Sequence, residues 1–271
     1  DSSFGSVSFE GEVDGLGFRA GNRNTKLVGE IYEIKFNEYN YKNISINGLY
    51  KNNLFNGKLA SNDDNLKGTF EGLADLSEVI NKFDFKATIN YANLRALNLF
   101  KRDSISELKG LIDLDLKGNK LENIVGIANF KNIIYTNERS IYPFKQFLIF
   151  SKIKENIRQI RIDSEDIIKG ELIGNFKFEE LLSLAQNALG SMYSNYTPFK
   201  VSLDQFLSFD FVIYNQIVDV FFPEISIAAN TKIKGTIKAN KNQLKLKVNS
   251  PKITAYGTTI DSLFLDTDNK R

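Results

Sequence analysis

The sequence predicts a mainly β fold: an antiparallel meander curled into an open, elongated groove, with a few short helices. Three observations carry that expectation. Apolar residues recur at every second position in one stretch after another, the signature of a strand with one dry and one wet face. The connectors between those stretches are short and rich in Asn, Lys, Asp and Gly, the residues that make hairpin turns. Helical patterns are too few and too short to cover so many strands, so the dry faces must meet another sheet, themselves by curling, or a ligand.

In chain order, alternation begins in SVSFEGEV, resumes after GNRNTKLVGEIY, and continues in KNISINGLY, LKGTFEGL and FDFKATINY. In LKGLIDLDLKGN, Leu108, Gly110, Ile112, Leu114, Leu116 and Gly118 fall on one face. Lys109, Asp113, Asp115 and Lys117 fall on the other, with Leu111 the exception. FLIFSKI, RQIRID, KGELIGNFKF, LSFDFVI, TKIKGTIKA and QLKLKVNSPKI repeat the pattern. The connectors YKNN, SNDDN, GNKLEN and ANKNQ are turn compositions, and Asn tolerates a left-handed backbone. GLYKNNLFNGKL and GTIKANKNQLKL share the order strand, glycine, polar turn, strand, a weak internal repeat too irregular for a propeller or strict solenoid.

Four segments read as helices. DLSEVINKF has Asp75 as a candidate N-cap and places Leu76, Val79, Ile80 and Phe83 on one face. NLRALNLF, around Leu94 and Leu97, is weaker. FEELLSLAQNALGSMYSNY is the longest, a helical insertion near 179–194, and YNQIVDVFF runs into Pro223.

Composition narrows the chemistry. The chain has 271 residues, 42% of them hydrophobic, and 35 basic against 33 acidic residues leave a net charge of +2. That balance points away from nucleic acid as a partner. There is no His and no Cys, which removes the commonest general base, zinc ligands, thiolate nucleophiles and disulfides together. The expectation is a protein without catalytic residues, metal or cofactor. Lack of Cys fits the cytoplasm or the periplasm alike. No apolar run reaches the roughly 18 residues that span a bilayer, since even FLSFDFVIYNQIVDVFF is broken by Asp210 and Asp219. The start, DSSFGSVSFEGEVDG, has neither a basic region nor an apolar core and enters a strand almost at once, so the chain is expected to be a piece of something longer.

Several local patterns imitate chemistry. Gly15, Gly17 and Ala20 in GLGFRA have the spacing of a dinucleotide fingerprint, but turn and strand follow where a helix is required. Asp63 with Asp64, and Asp163 with Glu165 and Asp166, lack the ligand spacing of a calcium loop and read as solvated turn or strand-end carboxylates. Asn43-Ile44-Ser45 and Asn195-Tyr196-Thr197 match the glycosylation sequon in an Asn-rich chain. The 22 Phe and 11 Tyr residues alternate within strands, as core or groove lining would.

Four segments, YKNISINGLYKNNLFNGKLASNDDNLKGTFEGLADLS, FDFKATINYANLRALNLF, SELKGLIDLDLKGNKLENIVGIANFKNIIYTN and GNFKFEELLSLAQNALGSMYSNYTPF, resemble the interior of a TamB-type translocation and assembly module of the AsmA-like superfamily. The resemblance covers most of residues 40–270 and rests on a style of repeat. It implies a Gram-negative envelope protein, anchored in the inner membrane outside this fragment and crossing the periplasm to the outer membrane as a taco-like, repeating β-groove. It implies phospholipid acyl chains as cargo, a role in outer-membrane biogenesis, and a TamA-like outer-membrane partner of the BamA (Omp85) class. The chain would then be one groove segment, 1–271.

The family offers no catalytic residue to carry over, so the expected lipid-binding lining comes strand by strand from alternation. It comprises Ile44 and Ile46; Phe83, Phe85 and Ile89; Ile112, Leu114 and Leu116; Ile160 and Ile162; Phe209 and Phe211; Ile233 and Ile237; and Leu244, Leu246 and Val248. The helix near 179–194 would plug or cap the groove, or dock outside it. A closed β-sandwich, or a chaperone-like envelope module that adds a strand to its sheet, would produce the same alternation.

Overall fold

A computed structural model describes residues 4–16, 24–76, 79–190, 195–214, 225–241 and 243–269. The chain divides into two compact units, residues 1–119 with 126–146, and residues 120–125 with 147–271. The first holds β1 (Phe4–Leu16), β2 (Asn24–Phe36), β3 (Tyr39–Lys51), β4 (Leu54–Asn62), β5 (Leu66–Asp75), β6 (Lys82–Asn93), β7 (Ser106–Lys117) and nearly all of β8 (Val125–Asn137). Strand β9 (Ile141–Lys154) runs from the first unit into the second. The second unit continues with β10 (Ile157–Asp163), β11 (Ile168–Asn175), α1 (Leu181–Gly190), β12 (Phe206–Ile213), β13 (Ile225–Ile227), β14 (Thr231–Lys238), β15 (Gln243–Ala255) and β16 (Thr258–Asp268).

Each strand from β1 to β12 is hydrogen-bonded to the next, then β12 pairs β14 and β14 pairs β15. The far half of β15 takes β13 on the edge it shares with β14, and β16 on the other edge. The described strands thus form one open antiparallel sheet and not the two facing sheets of a closed sandwich. Tight turns set this order. Asn37-Glu38, Asn52-Asn53, Glu155-Asn156 and Tyr256-Gly257 each join neighbouring strands with positive φ at both residues, the type I′ pattern whose twist matches the strands it connects.

Two of the expected helices are replaced by other structure. Asp75 is the last residue of β5, paired with Leu54 and Lys82, and β6 has begun by Lys82. Between these strands Leu76 N–H bonds to the Asn53 carbonyl and residues 79–81 are bend and coil, while Ser77 and Glu78 lie outside the described residues. NLRALNLF makes turns instead of a helix. Asn93 accepts from Ala96 N–H through its side chain and from Leu97 N–H through its carbonyl, and Asn98 at φ 58° stops the coil. YNQIVDVFF falls almost wholly on 215–224, outside the described residues, as does the 191–194 part of the longest helical segment.

In the first unit, Ala87, Ile89, Ala92 and Leu97 form a buried cluster, with Tyr39, Tyr41, Leu66 and Leu108 packed against it. A bulge at Asn90-Tyr91 lets Ala92 face the same way as Ile89 although an even number of residues, two, lies between them. The chain that returns over this cluster is locked by Asp103, which is 3% exposed. Its carboxylate accepts from Arg102 Nε at 2.6 Å, Tyr135 Oη at 2.7 Å and Asn137 Nδ2 at 3.2 Å. The Arg102 guanidinium, aided by Tyr135 and Asn137, holds the Asp103 carboxyl well below the usual carboxylate range against the opposing effect of burial. Burial, with the hydrogen bond to Asp103, pushes Tyr135 up to about 12.

These shifts fix the sign of the pH dependence. A carboxyl depressed in the folded state stabilises it fully above the unfolded value near ~4, and that stability is lost as pH falls through the folded value. A tyrosine raised to about 12 stabilises the fold below its ordinary ~10 and loses that contribution as pH rises through the folded value. Urea unfolding across pH should therefore show stability falling at both extremes, and Asp103→Asn should make the acid limb shallower. An acid limb of unchanged slope in that variant would contradict the role given to Asp103.

Candidate functional site: the apolar face of the sheet

The strand registers decide which side chains share a face. In the first unit Leu116 stands opposite Phe83, Leu114 opposite Phe85, Ile112 opposite Ala87 and Gly110 opposite Ile89. Phe83, Phe85 and Ile89 in turn face Ala74, Gly72 and Gly68, and those face Phe55, Gly57 and Ser61. Ile46 faces Leu59 and Ile44 faces Ser61, so all eight residues expected in this unit lie on one face. Between them the other face carries Lys86 opposite both Glu71 and Asp113. Most of the apolar face is half-buried, and among the described residues its covering is the Leu97 segment at one end.

That face is where the strands approach most closely. Gly48, Gly57 and Gly72 follow one another across β3, β4 and β5. A Cβ on Gly57 would collide with the Asn47 carbonyl and Gly48 Cα, and one on Gly72 with the Asp84 carbonyl and Phe85. Gly72 also has φ +141°, a backbone that L side chains rarely adopt. The missing side chains let rings lie down over the glycines: a Cβ on Gly48 would sit 2.8 Å from the Phe55 ring. The result is a shallow hollow of about 180 Å³ lined by Phe55, Gly57, Leu59, Phe70, Gly72, Ala74 and Phe85, with Glu71 and Leu73 at its border.

The second unit repeats the arrangement. Ile160 faces Leu172 and Ile162 faces Gly170, which face Phe209 and Phe211 in β12. Those face Gly235 and Ile233, and Ile233, Gly235 and Ile237 face Val248, Leu246 and Leu244. All nine residues expected in this unit therefore share one face. The opposite face carries cross-strand ion pairs, Lys234–Asp210 at 2.7 Å and Lys247–Asp266 at 2.6 Å, each contributing about 0–1 kcal/mol at an exposed site but keeping that side wet.

Helix α1 sits on the apolar face. Leu184 and Ala188 bury themselves with Phe176, Leu207, Ile237 and Leu244, so two of the expected lining residues, Ile237 and Leu244, are covered. Arg158, 6% exposed, interrupts the same face one position from Ile160 along the row. Its Nη1 donates to the Leu121 carbonyl at 3.0 Å and its guanidinium lies 4.8 Å from the Phe178 ring centre; burial lowers its pKa.

The acidic groups do not converge. Asp63 is 2% exposed, which corrects its reading as a solvated turn residue. It accepts from Tyr39 Oη at 2.6 Å and from the N–H groups of Lys42 and Asn65 at 2.8 Å, and so closes the β4–β5 connection; Asp64 is exposed. Asp163 pairs with Lys169 at 3.1 Å and Arg161 at 3.5 Å, Asp166 accepts from Ser164, and Glu165 is exposed. Gly15 stands opposite Thr25 in the β1–β2 ladder, whereas Gly17 and Ala20 lie outside the described residues. Among the described residues no helix is long and apolar enough to cross a membrane, and no three or more Asp or Glu side chains gather to hold a metal ion.

Phe55, Leu59, Phe70 and Leu172 belong to the apolar face but escape a reading by apolar alternation alone, because glycine occupies the positions between them. Counting glycine as a dry-face residue, as in the stretch from Leu108 to Gly118, recovers them. A scan against family models, a search of the curated proteins and a search of the solved structures each find no match.

If close approach at the glycine row shapes the hollow, Gly72→Ala should cost about 1–3 kcal/mol, the range for a non-glycine residue forced into such a backbone. Gly257→Asn, at a turn where nothing lies within 4 Å of the added atom, should cost far less. Urea midpoints of the two variants measure the difference, and equal costs would contradict the assignment.

Proposed function

We propose that this chain is a groove segment of a Gram-negative envelope protein of the TamB type, conducting phospholipid acyl chains along its apolar face between the inner and outer membranes. On this reading the whole protein is anchored in the inner membrane, works in the periplasm with a TamA-like partner of the BamA class, and supports outer-membrane biogenesis. The resemblance of the repeats supplies the family. The observation that carries the reading is the apolar face itself: strand after strand presents Ile, Leu and Phe to one side, half-buried, with charges on the other. A face of that kind is stabilised by apolar chains, each methylene transferred from water contributing about 0.8 kcal/mol.

The second reading, a chaperone-like module that adds a client strand, draws on β16. Among the described residues this strand pairs only β15, and it leaves Phe264 72% exposed.

Photo-crosslinking separates the two. With phospholipid vesicles, probes at Ile112, Leu114 and Leu116 should capture lipid while probes at Asp113 and Asp115 do not, and Leu114→Asp should abolish capture at its neighbours without unfolding the chain. Lipid capture at none of the five positions, with client protein captured at Phe264 instead, would favour the strand-adding module.

A further inference from the structure

We propose that residues 176–205 are a built-in plug: α1 occupies the place of an acyl chain on one end of the second unit's apolar face and leaves it when cargo passes. This inference rests on the lipid-groove reading and concerns how that groove is controlled.

The first ground is topology. Asn175 and Phe206 are a cross-strand pair, the last rung of the β11–β12 ladder. Two residues suffice to join strands at such a rung, yet thirty intervene (residues 176–205), and among them α1 lies over the sheet. Asp204 and Gln205 stay bonded to Asn240 and Ala239 beside that rung, and α1, entered and left from one place, can lift away without breaking the ladder.

The second ground is what the insertion covers. Leu184 and Ala188 are each 1% exposed, and beneath them Leu207, Ile237 and Leu244 are 6%, 5% and 2% exposed. Two steps along the same face, Phe211 and Ile233 stand opposite one another and remain half-buried. Among the described residues the face is therefore divided: one section is satisfied by the chain's own helix, and the next offers the same chemistry to an outside apolar chain. A groove that conducts lipid along its length is blocked wherever its own helix fills it.

The third ground is how the insertion is held. Apolar contacts hold α1 to the sheet, and polar clasps hold α1 to its own return segment. Glu180 accepts from Ser202 N–H at 2.6 Å, Ser202 Oγ at 2.8 Å and Gln205 Nε2 at 2.6 Å, and the Ser202 donors hold its carboxyl down at about 2. Asn187 accepts from Phe199 N–H at 2.8 Å and Tyr196 Oη at 3.0 Å, and donates to the Phe199 carbonyl at 2.8 Å. These clasps tie the helix to its own return segment, so the insertion moves as one piece. Its root is gripped by Arg158, which stands on the sheet beside Gly174 and carries the Phe178 ring against its guanidinium.

The chain has no Cys, so single cysteines report the two sections cleanly. Phe211→Cys and Leu244→Cys are each reacted with N-dodecylmaleimide, a thiol reagent on an apolar chain, in the full chain and in two released forms. One joins Asn175 to Phe206 through Asn-Gly in place of 176–205; the other, Leu184→Ala, keeps the insertion but weakens its apolar hold on the sheet, and far-UV circular dichroism follows folding in both. In the full chain the cysteine at 211 should react readily and the one at 244 slowly. Release should speed position 244 at least tenfold, because losing a buried Leu side chain costs more than the roughly 1.4 kcal/mol that a factor of ten represents, and leave position 211 unaltered. Equal rates at the two positions in the full chain, or no acceleration at 244 on release, would overturn the plug while leaving the groove reading standing. No reaction at 211 in any form would overturn the groove reading and the plug with it.

Discussion

A single antiparallel sheet has two faces and, by itself, covers neither. In this protein that constraint governs everything else. The backbone ladder satisfies the polar groups of the strands, and the strict period of two sends the apolar side chains to one side. A one-residue slip would exchange the faces, which is why hairpins with fixed left-handed residues, such as Asn52-Asn53 and Glu155-Asn156, recur between the strands. What remains is an apolar surface that the described residues cover in places, with the Leu97 segment in the first unit and α1 in the second.

The glycines turn that surface from a plane into a hollow. Where Gly48, Gly57 and Gly72 line up, the neighbouring backbones come too close for any side chain, and the Phe55 ring lies over Gly48 while Phe85 lines the hollow beside it. The same device recurs in the second unit, where Phe211 lies over Gly170 and Phe209 over Gly235. Large rings flanking bare backbone give a surface that can follow the irregular contour of a hydrocarbon chain without a directed hydrogen bond. Polar groups are buried where connections need locking, at Asp63, at Asp103 and at the Thr231–Ser250 pair, and each has hydrogen-bond partners there.

The sheet and its face were largely legible in the sequence, because alternation is a local property that the ladder preserves. All seventeen residues expected to line the face share it within their own unit, since none sits across an unrecognised bulge. Phe55, Phe70 and Leu172 were hidden by the glycines that make their neighbourhood concave. The helix patterns at 75–83 and 93–100 failed for a different reason: strand pairing had already claimed Asp75 and Lys82, and a stretch ending at left-handed Asn98 closes only one turn. The burial of Asp63 was invisible as well, because its donors Tyr39 and Lys42 are more than twenty residues away in the chain. The side of the sheet taken by α1 depends on the same kind of distant packing.

Whether the dry face is dry against lipid is best decided by native mass spectrometry of the chain purified in a mild detergent. Phospholipid adducts should accompany the chain, fall sharply in Leu114→Asp, and persist in Asp113→Asn on the opposite face. A chain that carries no lipid, or carries it equally in both variants, would contradict the assignment of this face as a lipid groove.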